Sequence, residues 1–336
     1  MKIEIQLDAP PGACAGRAQH LAATGIDGLF TFEGPHDVFF PLVEAATRVE
    51  LDLMTNVAIA LPRSAIHLAH ASWDLQAQSV GRFRLGLGSQ IKTHIERRYG
   101  SQWSRPAARM AEQVRAIRAV FDAWQDGHRL DFAGEFHTHT YMPPMFNPGP
   151  LEWGPPPILM GALGPVMTRN AAEVADGLLV MPFNSIDHIR ERTLPAVTEG
   201  LERAGREPSA LQIIPQVICG VGRTPSQLEA GAAGVRSLVA FYGSTPAYRP
   251  VLEVAGCPEL QSTLQGLAKT GDYAHMFELI TDELLTTIAV VGTPEECARQ
   301  IISRFGDLSD RVCCYFPGQD LPPDQLRDLV TALHSG

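Results

Sequence analysis

Most side chains in this sequence that could do chemistry stand just beyond short apolar runs. GLFTF leads into Glu33, Gly34, Pro35, His36 and Asp37; RFRLGLG leads into Ser89, Gln90, Ile91, Lys92, Thr93 and His94. A carboxylate beside an imidazole can work as general acid and base, because histidine titrates near neutrality. Glu33 and His36 are such a pair, and a loop capping box is the alternative. Asp37 reads as the cap of a helix starting near Val38. Further on, Lys92 could pair with a phosphate or a substrate anion, His94 could donate a proton, and Gln90 adds an amide. The alternative is a polar helix start, with Glu96, Arg97 and Arg98 as a solvated, ion-paired face.

Other motifs are weighed the same way. Gly161-Ala162-Leu163-Gly164 follows an apolar run and precedes a helix beginning near Pro165. Such a turn either simply reverses the chain or presents free N–H groups and a positive dipole end to a phosphate. Met181, Phe183 and Asn184 could wall an apolar pocket, although core packing explains Met181 by itself. His137 and His139 alternate along a strand and share a face, as two metal ligands would. No third ligand is identifiable nearby, so a solvated hairpin is the preferred reading and no metal is expected. No G-x-S-x-G, H-E-x-x-H or P-loop motif occurs, so nothing marks a hydrolase or kinase.

The elements that carry these residues alternate. Strands are expected at 2–7, 28–32, 51–60, 82–88, 157–161, 177–181, 211–221 and 311–316, mostly apolar on both faces, as parallel strands under helices should be. Helical stripes lie between them. One is Met110, Val114, Ile117, Phe121 and Trp124; another is Ile66, Ala69, Trp73, Ala77 and Val80. Thr293 before Pro294, Glu295 and Glu296 is a helix start. The fold class is therefore α/β, a (β/α)8 TIM barrel, with catalytic groups expected at the carboxyl ends of the strands. Two stretches interrupt the alternation. Residues 128–156, after strand 4, predict a hairpin and irregular loop over the barrel mouth. Residues 223–284, between strands 7 and 8, predict several inserted helices.

Bulk properties narrow the partners. A net charge of −10 and a pI near 5.5 argue against a nucleic-acid partner. The six cysteines lack zinc or C-x-x-C spacing and read as free thiols of a reducing, cytoplasmic compartment. Cys313 and Cys314 should face opposite sides of one strand. No apolar stretch approaches the ~18 residues of a membrane span, and MKIEIQLD reads as a strand rather than a signal peptide.

Three segments carry a resemblance. GIDGLFTFEGPHD, LMTNVAIALPRSAIHLAHASWDLQAQSVGRFRLGLGSQ and PPILMGALGPVMTRNAAEVADGLLV resemble the bacterial-luciferase-like superfamily, and within it the coenzyme F420-dependent oxidoreductases. The W-D-L-Q-A-x-S-x-G-R-F-x-L-G-L-G run and the later A-D-G are its specific parts. The match spans residues 1–222 and 285–335 and leaves the insertion uninformed. The resemblance implies one luciferase-like domain over 1–336, with F420, or alternatively FMN, at the barrel mouth. It further implies a bulge at Thr55-Asn56-Val57 that backs the ring, with a non-proline cis peptide at Asn56–Val57; the alternative is a plain parallel strand. The cofactor phosphate would lie at Gly161–Gly164, with Lys92 and Gln90 nearby, and Met181 and Phe183 would line the ring pocket. Relatives carry a histidine near Glu33, and some a catalytic glutamate where this chain has Gln90-Ile91-Lys92. The implied activity is hydride transfer to or from a small organic substrate, with Glu33, His36 or His94 relaying a proton, in a homodimer. An FMN-dependent monooxygenase and a non-catalytic flavin-binding protein are the alternatives.

Overall fold

The computed structural model describes residues 1–336. Eight parallel strands close into a ring: β1 (Lys2–Gln6), β2 (Gly28–Thr31), β3 (Asp52–Thr55), β4 (Phe83–Gly88), β5 (Ile158–Ala162), β6 (Gly177–Val180), β7 (Gln212–Val221) and β8 (Arg311–Tyr315). Each strand pairs with the next, β6 with β7 and β8 with β1, so no edge remains open. This is the expected TIM barrel. The strand expected at 51–60 is interrupted: β3 ends at Thr55, and Ala58–Ile59 resumes pairing with β4.

The helix between β4 and β5, Pro106–Gln125, buries Met110, Val114, Ile117, Phe121 and Trp124 as its stripe requires. The second stripe needs correction. Helix Ala65–Gln78 buries Ala65, Leu68, Ala69, Ser72, Trp73, Leu75 and Gln76, whereas Ala77 and Val80 face solvent. The chain leaves that helix at Val80 and Gly81, both with positive φ, so the helical period stops before Val80. Thr293 and Glu296 form a reciprocal capping box.

Inside the ring, side chains stack in three layers along the axis. At the amino-terminal end, Glu4 accepts from Arg84 and Arg311, and Arg311 also reaches Asp52 at 2.8 Å. The middle layer is apolar: Phe30, Met54, Leu159, Leu179, Ile214 and Cys313. Asn56, Gln216 and Tyr315 close the carboxyl end. The strands are thus apolar toward the helices but not throughout toward the axis, which corrects the expectation for β1, β4, β7 and β8. The charges are tolerated because each is paired; an unpaired one would cost several kcal/mol. Cys313 and Cys314 do face opposite sides, one in the axial layer and one in the outer core, and all six cysteines are free.

The two insertions differ in placement. Residues 128–156 form the expected hairpin, Phe132–Ala133 with Thr138–His139. It lies along the outer flank of helix Pro106–Gln125, not over the mouth. Glu112 of that helix accepts the N–H groups of Glu135 (2.9 Å), Phe136 (2.6 Å) and His137 (2.7 Å). A Cβ on Gly134 would sit 2.3 Å from the same carboxylate, so any larger residue there would push Glu112 off its three N–H partners. Lower down, Gln125 donates to the Leu151 carbonyl at 3.1 Å, and Trp153 packs on Gly81 at the foot of β4. The second insertion is helical as expected: Pro225–Gly243, Arg249–Val254, Leu260–Thr270, Tyr273–Glu278 and Asp282–Ile288. No helix is long and apolar enough to cross a membrane.

Candidate active site

The residues proposed for chemistry converge on the carboxyl ends of the strands, and the break after β3 organises them. Thr55 Oγ1 donates to the Gly86 carbonyl at 2.8 Å and accepts the Gly86 N–H at 2.9 Å, joining β3 to β4 where the ladder ends. The Asn56 N–H donates to the Thr31 carbonyl at 2.6 Å. The Asn56–Val57 peptide is cis, as the resemblance implied. Beyond it, the Val57 side chain lies over the ends of β4 and β5. A Cβ on Gly88 would come within 2.4 Å of Val57, and one on Gly161 within 3.5 Å. Gly88 leaves room for a half-buried apolar platform at the mouth, which Gly161 adjoins at ordinary contact distance.

Below this platform is a polar floor. Asn56 Nδ2 donates to Gln216 Oε1 and to the Tyr315 hydroxyl, each at 3.1 Å, and Tyr315 donates to Gln216 Oε1 at 2.6 Å. The three residues come from β7, β8 and the turn after β3. Asn56 Oδ1 is buried with no partner in the protein. Burial holds the Tyr315 hydroxyl far above the usual phenol range, with lesser contributions from Cys313 and Tyr242. Gln216 and Tyr315 were missed in the sequence. A signal existed: Gln216 is the lone amide in the buried core of IIPQVICGV, and Tyr315 is two residues past Cys313, on the same face.

The expected acid–base residues take different positions. Glu33 accepts from the Ile59 N–H (2.8 Å), Arg63 (2.6 Å) and the Tyr99 hydroxyl (2.8 Å), with only 7% of its side chain exposed. It ties the turns after β2, β3 and β4 together as a brace. Burial, and then the bond to Glu33, pushes the Tyr99 hydroxyl up to about 12. His36 is exposed and makes no hydrogen bond, so the structure does not pair it with Glu33. Asp37 accepts the N–H groups of Phe39 and Phe40 just ahead of helix Phe40–Ala46, which starts two residues later than expected and has Phe39 rather than Asp37 at its N-cap position.

After β4, Gln90 adopts a left-handed backbone (φ 59°) and its side chain folds back onto the Ile91 N–H. Lys92 is 66% exposed and lies 3.9 Å from Glu96, so it belongs to the solvated face rather than to a phosphate cradle. His94 is half-buried, and its Nδ1 has no partner. After β5, Gly161 and Leu163 are half-buried, Ala162 is buried and Gly164 is exposed. Helix Pro165–Val174 starts at Gly164 with no side-chain cap, and a Cβ there would meet nothing within 4 Å. Met181 packs at the mouth against the insertion. Phe183 does not line the mouth; it is fully buried in the insertion's core, beneath Tyr242 and Tyr248. Asn184 is buried, and its Nδ2 has no partner. His137 and His139 stack 6.3 Å apart on the flank hairpin, and no group of side chains suited to a metal occurs in the molecule.

Comparison with known proteins agrees with this architecture. An uncharacterised protein of Mycobacterium tuberculosis is 42% identical over 317 residues, 94% of this chain and 93% of the relative. A 5,10-methylenetetrahydromethanopterin reductase of Archaeoglobus fulgidus is 29% identical over 269 residues, covering 78% of this chain and 74% of the relative. The coenzyme F420-dependent tetrahydromethanopterin reductase of Methanopyrus kandleri superposes with a TM-score of 0.81 at 17% identity, over 100% of this chain and 98% of that one. The model of the luciferase-like monooxygenase family matches residues 5–310, and the chain belongs to that family.

Proposed function

We propose that the protein is an oxidoreductase that takes coenzyme F420 across the barrel mouth and transfers a hydride between the deazaflavin and a small organic substrate. The observation that carries this reading is the Val57 platform, clear of side chains at Gly88 and Gly161 and anchored from below by Asn56, Gln216 and Tyr315. Such a support suits one face of a planar ring. Two further features fit the group: the unpartnered Asn56 Oδ1, and the uncapped first turn of helix Pro165–Val174, whose free N–H groups suit a phosphate. The F420-linked reductase whose fold this chain shares supports the choice of cofactor.

When bound, the deazaflavin supplies two-electron hydride chemistry. The chain supplies position. Val57 orients the ring, the backbone of Gly161–Gly164 holds the tail, and Glu33 keeps Arg63 and Tyr99 in place around the rim. His94, half-buried in the helix after β4, is the residue we assign to hold a proton at the mouth. Spectral titration tests the reading: F420 absorbance should shift on binding, and Val57→Asp should abolish the shift. Perturbation of neither F420 nor FMN would defeat it.

The family's own description favours a second reading, an FMN-dependent monooxygenase using the same mouth. Oxygen uptake with added reduced FMN separates the two. We also propose a cytoplasmic homodimer. The exposed Phe40 and Val43, on one face of helix Phe40–Ala46, and the six free cysteines support it. Light scattering on the purified chain tests the assembly.

A further inference from the structure

The helical insertion brings two tyrosines to the mouth that the proposed reaction has not used. Tyr242 lies in the last turn of helix Pro225–Gly243, and Tyr248 ends the short turn Pro246–Tyr248. Their rings meet nearly edge-on at 6.0 Å, and both rest on Phe183, at 6.3 and 6.2 Å. Leu163 and Met181, from the ends of β5 and β6, pack into the same cluster. The tyrosines are therefore fastened to the barrel at its carboxyl end rather than carried on a free loop.

Their hydroxyls are unusual in one respect. Neither makes a hydrogen bond within the protein, yet neither is sealed away from accessible space. Burial, and then the neighbouring Tyr248, pushes the Tyr242 hydroxyl up to about 12; burial raises Tyr248 as well. Both remain protonated donors at neutral pH. The Tyr242 hydroxyl also lies within electrostatic reach of Tyr315, in the floor. Arg249, the charged residue next to Tyr248 in the chain, is already paired with Glu253 at 3.2 Å. An anionic ligand group would lose its hydration here without gaining a counter-charge. A neutral oxygen would gain two donors, and Leu163, Met181 and Leu238 would cover an apolar body.

We infer that Tyr242 and Tyr248 form an oxygen-binding subsite above the mouth floor, for a neutral substrate that carries a carbonyl or hydroxyl oxygen on an apolar skeleton. The word substrate rests on the oxidoreductase reading; the subsite itself does not. Ligand-detected NMR on the full chain, with and without added F420, tests it, using cyclohexanone and cyclohexanecarboxylate as probes. Cyclohexanone should bind the unaltered chain, and the Tyr242→Phe/Tyr248→Phe double variant should bind it about 10-fold more weakly. Each single variant should lose a part of that. The carboxylate should bind more weakly than the ketone throughout. Phenylalanine keeps the ring packing, so the melting temperature and any cofactor titration should stay unchanged. Equal ketone affinity in the unaltered and double-variant chains, no ketone binding at all, or preference for the carboxylate would overturn the subsite. Tyrosine-dependent ketone binding without any F420 or FMN response would retain the subsite and remove the redox reading.

Discussion

The two insertions solve the same problem in opposite ways. Residues 128–156 bury little apolar surface and are held to the barrel's flank by hydrogen bonds, chiefly those converging on Glu112. Residues 223–284 build a core of their own, with Phe183, Val239, Leu252, Leu264 and Met276 at its centre. That core is continuous with the ends of β5 and β6 through Leu163 and Met181. A segment anchored by polar contacts can decorate a barrel. One that brings its own apolar core can hold side chains rigidly over a mouth, because packed interiors resist deformation. Substrate specificity should therefore reside in the second insertion.

The comparison breaks most clearly at Phe183. Phe183→Ala leaves a cavity at the joint between barrel and insertion, and should cost about 3–5 kcal/mol in denaturant unfolding. Proteolysis within 223–284 should rise while the flank hairpin stays protected. A loss below about 1 kcal/mol would mean the insertion core is not packed as described.

Acid should loosen the two regions in different windows. His188 follows β6, and its short helix, Ile186–His188, packs against helix Arg249–Val254 of the second insertion. Burial, and then Arg192, lowers it from 6.5 to about 4. The unfolded chain therefore binds a proton that the folded chain refuses. Stability should fall as pH drops from about 6.5 to about 4, by up to ~3 kcal/mol. His188→Gln should remove that slope in pH-dependent melting; an unchanged slope rejects the assignment.

On the flank, burial works to raise Glu112, but the three backbone N–H groups outweigh it and hold its carboxyl below 4.5. Its contribution is present above the unfolded value and is lost as pH falls through the lowered one. Glu112→Ala should cost about 2 kcal/mol at neutral pH, since bonds to a charged acceptor are worth about 1.5–3 kcal/mol. Hydrogen exchange should quicken at Glu135, Phe136 and His137 and leave the insertion helices unaffected. The smallest effect belongs to Lys92→Ala. The residue is 66% exposed, so stability should shift by less than about 0.5 kcal/mol and F420 affinity should not change. A large drop in affinity would restore Lys92 to the phosphate site.

Much of this molecule is legible locally. The glycines closing β4 and the Thr293 cap each depend on a few adjacent residues and stand where the sequence puts them, and the cis peptide at Asn56–Val57 stands where the resemblance implied it. Glu33 stayed open because residue type and strand-end position suit both a proton relay and a brace; its three partners, distant in sequence, show the brace. The flank hairpin was recognisable as a hairpin, but its docking was not, since Glu112 lies in a different element. Phe183 was ambiguous because an aromatic after a strand can face a pocket or a core with the same local pattern.

By itself, the sequence determined the strand and helix periods and the closed parallel architecture, because these follow from repeating local patterns, while the family rested on the resemblance of particular segments. The tertiary structure alone decided which side chains meet. Asn56 finds Gln216 across 160 positions and Tyr315 across 259. Tyr242 comes to the same end of the barrel from an inserted helix. Periodicity says whether a side chain faces the axis or the helices. Only closure of the ring and packing of the insertion choose its neighbour there, and so the chemistry of the mouth.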